Sequence, residues 1–213
     1  MLYKRKRKRI DIEKSHSSFY KISSSENMAY NNHDCIVWID TELTGLDIEK
    51  DTILEVACLI TDKDLNIISE EFNVVINQPD VVLENMGEWC TNWHTKTGLI
   101  AESKCSKHSL KDVEQMLLNL LKKYIPSKSC PLAGNTVYMD RLFLLKFMPL
   151  VNDYLHYRII DCSVIKELIR RWNPTIYKNM PRKKLCHRAL SDIKESINEL
   201  KYYKTNIFTA FMT

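Results

Sequence analysis

Asp40 and Glu42 stand two residues apart in the segment Trp38-Ile-Asp-Thr-Glu-Leu-Thr-Gly-Leu-Asp47, where the apolar run Cys35-Ile-Val-Trp-Ile39 ends. If that run is a strand, alternation of side chains puts both carboxylates on one face. Two carboxylates side by side repel each other, and a hard divalent cation with oxygen ligands relieves the repulsion. Taken alone, the pair reads better as solvated acids at a strand end. Asp140, near the start of a helix, and Asp192, in the first turn of another, add two more acids. His187 precedes Asp192 in His-Arg-Ala-Leu-Ser-Asp. Each has an ordinary explanation, since acids in a first turn complement the helix dipole and a loop histidine is usually solvated. Four acids and one histidine, each at an element end, are harder to dismiss as a set. They point to divalent-metal chemistry.

Hydrophobic periodicity supplies the elements that must position these groups. Cys35–Ile39 reads as a central strand covered on both faces, and Ile53–Ile60 and Leu65–Ile76 as two more strands. The polar turn Asp62-Lys-Asp-Leu joins the latter two into an antiparallel meander. Ser109 with Asp112 is a capping signal that opens an amphipathic helix to about Tyr124, with Val113, Met116, Leu117, Leu120, Leu121 and Tyr124 at helical spacing. A short strand at Leu132–Gly134, a helix over Met139–Phe147, a strand at Tyr157–Ile160 and a helix over Ser163–Trp172 follow. Residues 174–187 read as a basic, proline-containing loop, and Leu190–Tyr203 as the last helix. Three early strands and then alternating helices and strands predict one α/β domain, a mixed sheet of antiparallel meander plus parallel strands covered by helices.

Composition bounds the function. The chain has 213 residues, 45% hydrophobic and 27% charged, enough for a core without metal or disulfide staples. The four glycines write neither a dinucleotide fingerprint nor a phosphate-binding loop. No apolar run reaches the length of a membrane span. Of the net charge of +4, the run Lys4–Arg9 contributes six positive charges, leaving −2 for the remainder, so no basic body for wrapping long nucleic acid is indicated. The seven cysteines are odd in number and scattered, without zinc spacing, which favours a reduced intracellular compartment. Residues 1–33, basic and then rich in Ser and Asn, read as a disordered extension, 34–208 as the globular domain and 209–213 as a tail. The extension lacks a secretory core. It suits a solvated tail, a nuclear address or a mitochondrial presequence, and Asp11, Glu13 and Glu26 count against the last. Met28 is a second candidate start. Cytoplasm, mitochondrion and nucleus all remain open.

The motifs resemble those of the oligoribonucleases, in the histidine-containing branch of the DEDD exonuclease superfamily, over about residues 35–208. The resemblance rests on Trp38–Asp47, Cys130-Pro-Leu-Ala-Gly-Asn135, Asp140-Arg-x-Phe143, Phe147-Met-Pro149, His156-Tyr-Arg-Ile-Ile-Asp161, Lys166-Glu-Leu168, Arg170-Arg-Trp172 and His187–Asp192. It implies an RNase H-like fold, a homodimer, and 3′→5′ hydrolysis of very short single-stranded RNA to nucleoside 5′-monophosphates. It places Asp40, Glu42, Asp140 and Asp192 on metal-ligand positions for two Mg²⁺ or Mn²⁺ ions, and His187 on the general-base position. Such a pair of ions activates water and stabilises the leaving oxygen. By the same resemblance Leu46 wedges between bases, and Trp89 and His94 contact substrate. Arg158, Ser163 and, from the second subunit, Tyr157 cap the 5′ phosphate. Thr136 stands where bacterial relatives often carry serine. Trp93, Trp172 and Tyr154 read as packing residues. The alternatives are a 3′→5′ exonuclease for longer RNA or DNA ends and a non-catalytic binding module of the same fold.

Overall fold

The computed structural model describes residues 34–183 and 186–208. The expected extension over 1–33, with Met28, and the tail 209–213 lie outside the described residues. Five strands, β1 (Ile36–Leu43), β2 (Ile53–Thr61), β3 (Phe72–Val75), β4 (Pro131–Gly134) and β5 (His156–Asp161), form one sheet in the order β3-β2-β1-β4-β5. The β1–β2 and β2–β3 pairs are antiparallel, and β1–β4 and β4–β5 are parallel. The mixed sheet is the one the pattern predicts, with β1 at its centre.

Helices α1 (Asp80–Glu84), α2 (Glu88–Lys96) and α3 (Leu99–Cys105) follow β3, and α4 (Leu110–Tyr124) precedes β4. Then come α5 (Tyr138–Phe147), α6 (Pro149–Tyr154), α7 (Cys162–Trp172), α8 (Pro174–Lys178) and α9 (Ala189–Tyr203). The capping signal holds: Ser109 Oγ accepts from Asp112 N at 3.2 Å, and Asp112 Oδ2 accepts from Ser109 N at 3.0 Å. This reciprocal box satisfies two end donors of α4.

Alternation divides the core. Val37 and Ile39 of β1, with Val56, Cys58 and Ile60 of β2, pack under α4, α5 and α6 as the larger cluster. Trp38, Ala57, Leu59 and Ala133 face the other way, onto Ala189, Ile193 and Ile197 of α9. Asp40 and Glu42 share parity with Trp38, so the acids lie on the α9 face.

Three expectations need correcting. The strand over Leu65–Ile76 shortens to Phe72–Val75 plus one bridge between Thr61 and Ile67. There Ser69 Oγ, at 3.0 Å, accepts from Ile60 N in place of a ladder carbonyl. The loop over 174–187 contains a helical turn, α8, with Pro174 in its first turn and Asn173 Oδ1 accepting from Ile176 N at 3.2 Å. Pro149 likewise starts α6 rather than only ending α5, and the buried Glu114 carboxylate accepts from Leu150 N at 2.7 Å.

Candidate active site

β1 carries Asp40 and Glu42 to its C-terminal end, and α9 brings Asp192 over them in its first turn. Oxygen atoms of Asp40, Glu42 and Asp192 all lie within 4.8 Å of one another. Asp140, in the first turn of α5, is buried beside this trio but outside it. Its Oδ1 accepts from Thr41 N at 2.9 Å and Thr41 Oγ1 at 2.7 Å, which fixes it against the strand between the two leading acids.

The electrostatics are those of a cation site. Burial, then the Asp140, Glu42 and Asp192 charges, hold the Asp40 carboxyl well above the usual range. Burial and Asp192 push Glu42 to about 8, with Arg188 pulling the other way. Burial pushes Asp140 to about 7 against the pull of the Thr41 hydrogen bonds. Asp192 is raised by burial and Glu195, and lowered in part by the nearby His187 and Lys183. Convergent hard oxygen donors that resist ionisation fit a hard divalent ion.

His187 approaches from the segment before α9, with its backbone in the left-handed region at φ 48°. Its ring packs on α2, with centroids 4.5 Å from Trp93 and 5.5 Å edge-on from Trp89. On the same helix His94 is 2% exposed. Its Nε2 lies 2.9 Å from the Leu43 carbonyl, which accepts from it, and burial lowers its pKa. Nδ1 of His94 has no partner among the described residues, so it is left as a free acceptor. The turn after Glu42 is closed by Asp51, whose Oδ1 accepts from Thr44 Oγ1 at 2.9 Å and Oδ2 from Asp47 N at 2.8 Å. A Cβ at Gly45 would lie 2.3 Å from that carboxylate, so only glycine fits. This turn presents Leu46, 71% exposed, at the edge of the site.

A hydroxyl cluster lies beyond β4. Asp161 Oδ1 accepts from Thr136 N at 3.0 Å and from Ser163 N at 2.8 Å. It thereby caps α7 and holds Thr136 in left-handed backbone at φ 57°, an uncommon state for a β-branched residue. The Thr136 and Ser163 hydroxyls are 3.1 Å apart. Tyr157, 75% exposed, and Arg158 lie on the edge strand β5 that also carries Asp161, guanidinium over ring at 5.5 Å.

Comparison with known proteins bears on what this geometry is. The family model described as "Exonuclease" matches residues 37–200. "Oligoribonuclease, mitochondrial" of Bos taurus is 50% identical over 88% of this chain and 77% of its own. "Probable oligoribonuclease" of Drosophila melanogaster is 56% identical over 81% of this chain and 82% of its own. The chain belongs to the oligoribonuclease family. It is therefore a metal-dependent nuclease of the DEDD exonuclease superfamily, a 3′→5′ exoribonuclease. Among solved structures, Escherichia coli exonuclease I in complex with a dT13 oligonucleotide aligns at a TM-score of 0.64, with 15% identity. Exonuclease I from Methylocaldum szegediense aligns at 0.62 with 15% identity. The alignments span 84% and 81% of this chain but only 43% and 41% of those enzymes. At that identity they establish the RNase H-like fold of the oligoribonuclease.

Two features escape a reading of the oligoribonuclease motifs alone. Trp172 is not a packing residue, being 75% exposed at the end of α7. Its stripe with Val164 and Leu168 carries ordinary core spacing, and spacing alone does not tell a buried stripe from this exposed one. Arg188, inside the motif His187–Asp192, binds Glu55 of β2 across 133 positions of chain. A charge at the third position of the apolar run Ile53–Ile60 is the signal that was available.

Proposed function

We propose that this oligoribonuclease removes nucleoside 5′-monophosphates from the 3′ end of very short single-stranded RNA, down to dinucleotides. The observation that carries the reading is the convergence of Asp40, Glu42 and Asp192 within 4.8 Å, with Asp140 alongside. These four acids would hold two Mg²⁺ or Mn²⁺ ions. Bound there, such ions lower the pKa of water and neutralise charge on the departing 3′ oxygen. His187, close enough to Asp192 to lower its pKa, would accept the water's proton.

The remaining residues orient the substrate. Leu46 wedges between two bases, and Trp89, exposed beside His187, stacks on one of them. His94, buried beneath this surface, holds the Leu43 carbonyl ahead of the turn that presents Leu46 and so acts on the substrate through that turn. Thr136, Ser163 and Arg158 hold the 5′ phosphate, with Tyr157 supplied across a homodimer. Exposed Val164, Leu168 and Trp172 of α7, beside exposed Tyr157 and Ile159 of β5, support a second copy seated on this face. The test is product length on 5′-phosphorylated RNAs of two to seven nucleotides with Mn²⁺, against a chelator control. Turnover that rises as RNA lengthens would overturn the short-substrate reading and favour a general exonuclease.

We also infer a reducing intracellular compartment. None of the seven cysteines is joined in a disulfide, no described helix is long and apolar enough to cross a membrane, and the bovine and human relatives are named mitochondrial. Fractionation of cells expressing the tagged chain separates mitochondrion from cytoplasm and nucleus.

A further inference from the structure

Glu55 is 0% exposed and lies opposite Glu42 in the β1–β2 register. A negative charge here makes ionisation harder for Asp40, Glu42 and Asp192 alike. Well-packed apolar residues in place of the whole Glu55–Arg188 pair would serve folding as well or better. What the carboxylate secures is Arg188. Arg188 Nε donates to Glu55 Oε1 at 3.2 Å and Oε2 at 3.1 Å, and Nη2 to Oε1 at 2.8 Å. Asn73 Nδ2, at 3.0 Å, and Ala189 N, at 3.3 Å, complete the Glu55 partners. The other edge of the guanidinium meets Glu102 of α3, Nη1 to Oε1 at 2.9 Å and Nη2 to Oε2 at 2.8 Å. One planar fork thus spans two carboxylates from separate elements, a geometry lysine cannot reproduce.

Arg188 is the residue between His187 and the first residue of α9. His187 sits in left-handed backbone, which side chains other than glycine hold only where their surroundings over-determine it. Two constraints meet there: Trp89 and Trp93 of α2 bear on the ring, and the Arg188 fork fixes the backbone one residue on. Neither Glu55 nor Glu102 belongs to the trio of converging acids. We propose that Glu55 and Glu102, acting through Arg188, are positioning residues that fix where His187 presents its imidazole to the Asp40–Glu42–Asp192 cluster. This rests on His187 being the base, as proposed above.

The test is a double-mutant cycle in the full chain. Arg188→Lys keeps the charge and loses the fork. It should lower kcat tenfold to a hundredfold, the penalty of a small misplacement of a reacting group, with KM and Mn²⁺ affinity moving less than threefold. In a His187→Ala background the same substitution should change kcat by less than twofold, because there is no imidazole left to misplace. Glu102→Gln, at the more exposed end of the fork, should repeat this pattern with a smaller loss even if Arg188→Lys folds poorly. An equal fold-loss in both backgrounds, or Mn²⁺ affinity falling in step with kcat, would overturn the proposal. Full activity of His187→Ala itself would instead overturn the base assignment on which it rests.

Discussion

In protein stripped of metal, Glu42→Gln should stabilise the fold at neutral pH and leave it nearly unchanged in acid. Burial and the Asp192 charge raise this carboxyl from 4.5 to about 8 in the native state. Between those values folding takes up a proton. The stability linked to Glu42 is therefore complete below about pH 4.5 and is lost as pH rises toward 8. At about 1.4 kcal/mol for each unit of separation, the loss reaches about 3 kcal/mol by pH 7 and stays under about 1 kcal/mol at pH 5. Glutamine fills the same volume without the charge and so escapes the loss. For a chain of this size about 3 kcal/mol corresponds to roughly 6–12 °C in Tm. The assay is thermal and urea unfolding of both proteins in chelator at pH 5 and pH 7. Saturating Mn²⁺ should reverse the order, since the ion binds the carboxylate form and stabilises only the protein that has it. A variant less stable than the parent at pH 7 in chelator, or an offset equal at both pH values, would refute the electrostatic account of the site.

Three further outcomes are expected. His187→Ala should lower kcat by about 10²–10⁴-fold with calorimetric Mn²⁺ affinity unchanged, and a collapse of metal binding would make it a ligand instead. Arg158→Ala should weaken capture of 5′-phosphorylated dinucleotides by about ten- to a hundredfold, the worth of a charged hydrogen bond, and that of seven-mers less. Equal losses in KM at both lengths would remove Arg158 from any phosphate cap. Trp172→Asp should dissociate the proposed dimer: about 2 kcal/mol per copy, felt twice across a two-fold interface, raises Kd about a thousandfold by sedimentation. An unchanged sedimentation coefficient at micromolar concentration would place the interface elsewhere.

The acids of the site were legible because strand and helix periodicities fix where their carboxylates can point. Alternation put Asp40 and Glu42 on one face, and first-turn placement brought Asp140 and Asp192 to helix ends; the structure has all four so disposed. The antiparallel pairing of β2 with β3 and the cap on α4 were legible for the same local reasons. Residues 80–105 were not. Helices α1, α2 and α3 are five to nine residues long, too short for periodicity to separate them from loop, although α2 carries Trp89, Trp93 and His94. The Arg188–Glu55 pair was hidden differently. Each residue is visible in its own segment, but nothing local joins positions 133 apart.

The division of the sheet explains how the fold tolerates a cluster that works against its own stability. The face under α4, α5 and α6 holds the larger apolar cluster, including Leu117, Leu121, Phe143 and Leu144, all fully buried. At about 1.5–3 kcal/mol for each large buried side chain, this face carries most of the hydrophobic stabilisation. The α9 face is different in kind. Below Trp38 and Ile193 it gives way to Asp40, Glu42, Glu55 and Asp192, and α9 is tied down there by the Arg188 fork on Glu55 and Glu102. Acids that resist ionisation are thus gathered at one end of the sheet, Asp40, Glu42 and Asp192 on the α9 face and Asp140 in the first turn of α5, where a bound cation can offset their repulsion. The apolar cluster under α4, α5 and α6 needs no such help. A substitution such as Leu117→Ala, on α4, should therefore lower stability by about 2–5 kcal/mol without changing Mn²⁺ affinity. Glu42→Gln should do the reverse, raising metal-free stability at pH 7 while abolishing tight Mn²⁺ binding. If Leu117→Ala weakened Mn²⁺ binding as strongly as it weakened the fold, the two faces would be one cooperative structure and the separation argued here would fail.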